Sequence, residues 1–106
     1  MELDHTAVAV SDVAHAVEWY RSTCSAEVIY QDATWAFLKI GQGKLALVVP
    51  SQHPPHIAMR VSDEELSTHS TASGEVVAVH RDGTRGIYIK DPDGNLVELI
   101  CYPARE

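Results

Sequence analysis

One carboxylate interrupts an otherwise apolar run, Leu96-Val97-Glu98-Leu99-Ile100. A strand of that composition has little reason to hold a glutamate unless something pairs with it, because burying an unpaired carboxylate is very costly. A hydrogen-bonded proton or a bound cation would remove the cost. Pursuing the cation, two histidines, His5 and His56, offer imidazole nitrogens as further ligands beside Glu98. The turn sequence Asp91-Pro92-Asp93-Gly94 precedes the run: Pro presets φ, and Gly accepts the positive φ that a tight reversal demands.

Residues so far apart in sequence need a scaffold that carries each of them inward. Sliding the sequence along itself by 51 positions (56 − 5) aligns His5 with His56, Ala7 with Ala58 and Val10-Ser11-Asp12 with Val61-Ser62-Asp63. The same shift brings Phe37 onto Tyr88, Gly43 onto Gly94 and Leu45 onto Leu96. Two copies of one supersecondary unit explain this pattern; a solenoid would need more copies. Glu98 falls on Leu47, so the carboxylate belongs to the second copy only.

Each copy reads as strand, helix and three strands. Residues 3–10 form the first strand. Ser11 or Asp12 caps a helix whose apolar stripe is Val13, Ala16, Val17 and Tyr20, running through Arg21 or Ser22. Strands follow over 26–30, 34–40 and 44–49. A proline-rich linker is extended and stiff. The second copy opens with a strand over 56–61. Ser62 and Glu65 have capping-box spacing, and the helix they start ends before Gly74. Strands are expected over 75–80 and 85–90, then the strand carrying Glu98; Asp82-Gly83 supplies a hairpin signal. The expected architecture is one α+β domain, 1–106, with repeat one at 3–50, linker at 51–55 and repeat two at 56–103. Residues 104–106 are expected to fray.

The 106 residues are 45% apolar, ordinary for one globular domain. No stretch approaches the length of a membrane span, and the N-terminus lacks a signal-peptide pattern. A cytoplasmic location is the default expectation. The formal net charge of −7 argues against nucleic-acid and anionic-membrane partners. Cys24 and Cys101 have no metal-type spacing and read as free thiols.

Two βαβββ copies, a histidine opening each, and the closing Asp91-Pro92-Asp93-Gly94-Asn95-Leu96-Val97-Glu98-Leu99 segment resemble the vicinal oxygen chelate superfamily. That group spans glyoxalase I, methylmalonyl-CoA epimerase, fosfomycin-resistance enzymes, extradiol dioxygenases and metal-free bleomycin-resistance binders. The resemblance implies two sheets curled into an open, barrel-like cup with helices outside. It places metal ligands at His5, Leu47, His56 and Glu98. Leucine cannot ligate, so His5, His56 and Glu98 remain, as in the extradiol and fosfomycin-type enzymes. Three protein ligands leave positions open for two adjacent substrate oxygens, and the set suits Fe, Mn, Co, Ni or Zn. The ion would serve as Lewis acid and template. The implied activity is dioxygenase-like or glyoxalase-like, on a small molecule that chelates through neighbouring oxygens. The alternatives are a fosfomycin-type resistance enzyme and a non-catalytic binder. Relatives build the site within one chain or across a dimer, so a homodimer is expected.

Other candidates carry two readings each. Tyr88 is a substrate-facing or catalytic phenol, or a half-buried sheet aromatic like its repeat mate Phe37. His80 is a base near the site, or a solvated residue at a strand end. Arg60 shares a strand face with His56 and Ala58 and either binds an anionic substrate group or sits at the solvent end. Trp35 lines the cup wall or packs the core. Glu98 itself could accept a proton as well as ligate.

Overall fold

The computed structural model describes residues 1–103. The elements are β1 (Glu2–Ala9), α1 (Val13–Cys24), β2 (Glu27–Gln31), β3 (Trp35–Ile40), β4 (Gly43–Val48), β5 (His56–Arg60), α2 (Asp63–Ser73), β6 (Ala78–Val79), β7 (Arg85–Lys90) and β8 (Leu96–Cys101). This is the expected α+β fold of two βαβββ copies. Two compact units partition the chain: Asp4–His56, and Met1–Leu3 with the chain from Ile57 onward.

In the unit Asp4–His56, the strand order is β2-β3-β4-β1. β1 runs parallel to β4, and β3 is antiparallel to both β2 and β4. Parallel neighbours need a crossover, which α1, β2 and β3 provide. Asp12 caps α1: its Oδ1 accepts the His15 backbone N–H at 3.0 Å. Alternation along the strands separates two faces. One face packs Ala36, Leu38 and Leu47 against Val13 and Val17 of α1. The other gathers Ala7, Ala46 and Val48 with Trp35 and Phe37.

In the second unit, the order is β5-β8-β7-β6. β5 runs parallel to β8, with Ala58 opposite Glu98; β7 is antiparallel to β8, with Tyr88 opposite Glu98. The capping box forms as expected: Glu65 N–H donates to Ser62 Oγ and Ser62 N–H to Glu65 Oε1, each at 3.1 Å. Leu66 of α2 joins Val61, Ile87, Leu99 and Cys101 in this unit's core. The odd positions of β7 and β8 therefore face the helix. Gly86, Tyr88, Glu98 and Ile100 face the other way.

One expected strand changes. The strand expected over 75–80 shortens to Ala78–Val79, which makes two pairs with β7. Val76 and Val79 are 88% and 72% exposed, so no burial favours extension. The preceding residues are also held by the helix end: Ser70 Oγ donates to the Glu75 carbonyl at 2.6 Å, and Glu75 N–H donates to Ser73 Oγ. The fraying expected for 104–106 lies outside the described residues. Cys24 and Cys101 are free thiols. Among the described residues, no helix is long and apolar enough to cross a membrane.

Candidate metal centre

The two histidines meet within the unit Asp4–His56. His5 lies on β1 with its ring edge-on to Phe37, centroids 5.2 Å apart. Its Nδ1 donates to Asp4 Oδ2 at 2.7 Å. His56 opens β5, and its Nδ1 donates to the Pro54 carbonyl at 2.8 Å. A carbonyl oxygen and a carboxylate only accept, so both Nδ1 atoms carry hydrogen. In each neutral imidazole, Nε2 is then a bare lone pair. Those two Nε2 atoms lie 3.3 Å apart. Two lone pairs at that separation repel unless a proton or a cation lies between them. The chemistry of this donor pair therefore fits a metal ion.

The second unit carries Glu98. Glu98 is 5% exposed, in the middle of β8. The Tyr88 phenol hydrogen-bonds to it, and burial first, then the Glu98 charge and that bond, push Tyr88 up to about 12. At neutral pH the phenol keeps its proton and donates. His80 Nε2 lies 3.7 Å from Glu98 Oε2 and is buried with no hydrogen-bond partner among the described residues. Gly86 makes room for this meeting. A Cβ there would stand 3.0 Å from the Leu99 carbonyl oxygen, 3.5 Å from Glu98 Oε2 and 3.6 Å from His80 Nε2. Glu98, Tyr88 and His80, three of the residues singled out in the sequence, thus converge.

The raised Tyr88 value predicts an alkaline loss of stability. Above the ordinary value of 10.0 the unfolded phenol loses its proton while the folded one keeps it up to about 12. Stability is therefore full below pH 10 and falls as pH climbs through 12. Urea midpoints between pH 9 and 12 measure this. Tyr88→Phe is expected to flatten the slope; an unchanged slope contradicts the assignment.

Trp35 is half-buried beside Phe37 and Tyr30, ring centroids at 6.1 and 4.8 Å. The Arg60 guanidinium is stacked over Tyr102, 4.5 Å from its ring centre. Sequence reasoning missed Asp4 and Gly86. Asp4 offered one signal, a carboxylate adjoining a candidate ligand; Gly86 offered none beyond a glycine inside a strand.

The position assigned to Leu47 is corrected. Ala58 stands opposite Glu98, and its repeat mate Ala7 stands opposite Ala46. Tyr88 likewise faces Glu98, and Phe37 faces Ala46. Nine positions separate Phe37 from Ala46 (46 − 37) and ten separate Tyr88 from Glu98 (98 − 88), because the second hairpin is longer by one residue. Leu47 points into the α1 core, fully buried. Ala46 occupies the equivalent of Glu98 and has no side-chain donor atom. The first copy still yields no carboxylate ligand, by a different residue.

The chain as a whole has relatives of known sequence and fold. The sequence profile of the Glyoxalase/Bleomycin resistance protein/Dioxygenase superfamily matches residues 2–99. Metallothiol transferase FosB from Staphylococcus haemolyticus is 28% identical over 112 residues, covering 92% of this chain and 81% of that protein. Methylmalonyl-CoA epimerase from Mycobacterium tuberculosis superposes with a TM-score of 0.76 at 20% identity, covering 97% of this chain and 89% of the other. A Streptomyces coelicolor methylmalonyl-CoA epimerase variant, in complex with 2-nitronate-propionyl-CoA, gives 0.74 at 23% identity, covering 100% and 97%. The two epimerase likenesses establish the fold.

Proposed function

Because the chain belongs to the Glyoxalase/Bleomycin resistance protein/Dioxygenase superfamily, we propose that it is a metal-dependent enzyme whose ion is held by His5, His56 and Glu98. Its substrate is a small molecule that presents two neighbouring oxygens, and the reaction is of the dioxygenase or glyoxalase type. One observation carries the reading: two imidazole Nε2 atoms face each other at 3.3 Å with both Nδ1 atoms already engaged. A buried glutamate supplies the negative charge that such a donor pair lacks.

When bound, the ion supplies Lewis acidity toward a substrate oxygen anion. The remaining work falls to the chain. Tyr88 keeps its proton and donates a hydrogen bond to Glu98, which holds the carboxylate in one orientation. His80, 3.7 Å from the same carboxylate, offers a ring nitrogen to exchange a proton with Glu98. Phe37 flanks His5, and Trp35 continues that aromatic wall, an apolar surface suited to excluding water. Arg60, on the same strand face as Ala58, is the candidate for an anionic substrate group. The same reading takes the protein as cytoplasmic and homodimeric, with no nucleic-acid or membrane partner.

The likeness to metallothiol transferase FosB favours a second reading, metal-dependent transfer of a thiol to a small substrate. Metal analysis of protein purified without added metal tests the common premise: about one divalent ion per chain is expected, and a metal-free protein that takes up none from solution refutes it. Oxygen uptake with a catechol, set against thiol consumption with fosfomycin, then separates the two reactions.

A further inference from the structure

We infer that Asp4 is a positioning residue for the metal centre, making His5 the stronger of the two imidazole ligands; this rests on the three-ligand reading above. Side chains alternate across a strand, so Asp4 should point away from the face that His5 uses. Its carboxylate instead reaches back to His5 Nδ1 at 2.7 Å. The distance is that of a charge-assisted hydrogen bond. The Asp4 side chain is only 3% exposed and that of His5 10%. A carboxylate desolvated to this degree must be held by specific partners, and the imidazole N–H is one of them.

The consequence lies at the far nitrogen. With Nδ1 committed to a carboxylate, His5 is fixed in the Nδ1–H tautomer, and its Nε2 is an electron-rich donor aimed at His56 Nε2, 3.3 Å away. A carboxylate behind a ligating histidine sets ring orientation and strengthens the donor. His56 is oriented differently, by the neutral carbonyl of Pro54. The two histidines match in the sequence repeat, yet their supports differ: a buried anion for one, a backbone dipole for the other. His56 has no carboxylate before it in sequence, since Pro55 occupies the position equivalent to Asp4.

The test uses the full chain and Co(II) as probe, titrated calorimetrically into wild type, Asp4→Asn and Asp4→Ala. Loss of such a supporting partner typically costs ~10- to 100-fold in metal affinity, and that is the loss expected for Asp4→Ala. Asp4→Asn retains an acceptor for the Nδ1–H but no charge, so its affinity should fall between the two. Side-chain nitrogen NMR of the metal-free proteins gives an independent readout. His5 should be the Nδ1–H tautomer in wild type and Asp4→Asn and a mixture in Asp4→Ala. A merely structural Asp4 would move the melting temperature and leave tautomer and affinity unchanged. Equal Co(II) affinity in wild type and a folded Asp4→Ala overturns the role of Asp4 and leaves the three-ligand reading standing. Failure of wild type itself to bind Co(II) overturns both. Should Asp4→Ala not fold, Asp4→Asn decides: affinity equal to wild type overturns the inference, and a several-fold loss with the tautomer retained supports it.

Discussion

His56→Ala and Glu98→Gln are each expected to lower divalent-metal affinity by more than ~100-fold, since loss of a mere supporting partner already costs ~10- to 100-fold. The two substitutions should separate in the metal-free protein. Glu98 is 5% exposed within an apolar strand. Its amide keeps the volume and still accepts from Tyr88, while a desolvated charge disappears. Glu98→Gln should therefore melt no lower than wild type in EDTA. His56→Ala removes the ring contact with His5 and the hydrogen bond to the Pro54 carbonyl, so it should melt below wild type in EDTA. The metal-loaded comparison reverses the order. A ligand at 100 times its Kd stabilises a fold by ~2.7 kcal/mol, which for a chain of this size is ~10 °C or more in Tm. Wild type should show that rise, and neither variant should. Paired melts with Co(II) and with EDTA measure it. A metal-induced rise that survives both substitutions would remove the site.

The parts of this molecule that were legible in sequence are those where local chemistry alone decides. Ser62 and Glu65 announce a capping box because each satisfies the other's backbone, independently of the rest of the fold. Glu98 stands out because a carboxylate among Leu, Val and Ile needs a partner whatever the topology. His5 and His56 are visible through the repeat, at a shift that stays constant through Phe37 and Tyr88. The shift then fails by one residue across the second hairpin, and Leu47 is misread as a consequence. A strand has period two, so a slip of one exchanges its faces completely. Asp4 escaped notice for a related reason. Alternation assigns it to the opposite face from His5, and only the folded structure returns its carboxylate to Nδ1. The strand expected over 75–80 shrank because β-rich composition does not reveal that Val76 and Val79 face solvent.

The one-residue slip makes a second large prediction, read from a pair of substitutions. Leu47→Glu places a carboxylate among Val13, Val17, Ala36 and Leu38, beneath α1, at a fully buried position. That cluster is built of apolar side chains. Burying an unpaired charge costs at least several kcal/mol, against a total stability of ~5–15 kcal/mol. This variant is expected to be largely unfolded or insoluble, with or without metal. Ala46→Glu adds the same charge one residue earlier, on the face of Ala7, Trp35 and Phe37. Phe37 touches the His5 ring there. Overpacking costs ~1–3 kcal/mol, so the protein should fold with a lowered Tm in EDTA. Because the new carboxylate takes the register position that Glu98 holds in the other copy, Co(II) should raise the Tm of Ala46→Glu by more than it raises that of wild type. Circular dichroism melts on both variants, each with Co(II) and with EDTA, make the comparison. A folded Leu47→Glu with the larger metal response would mean that the uniform repeat shift, and not the sheet register, describes which residue of β4 corresponds to Glu98.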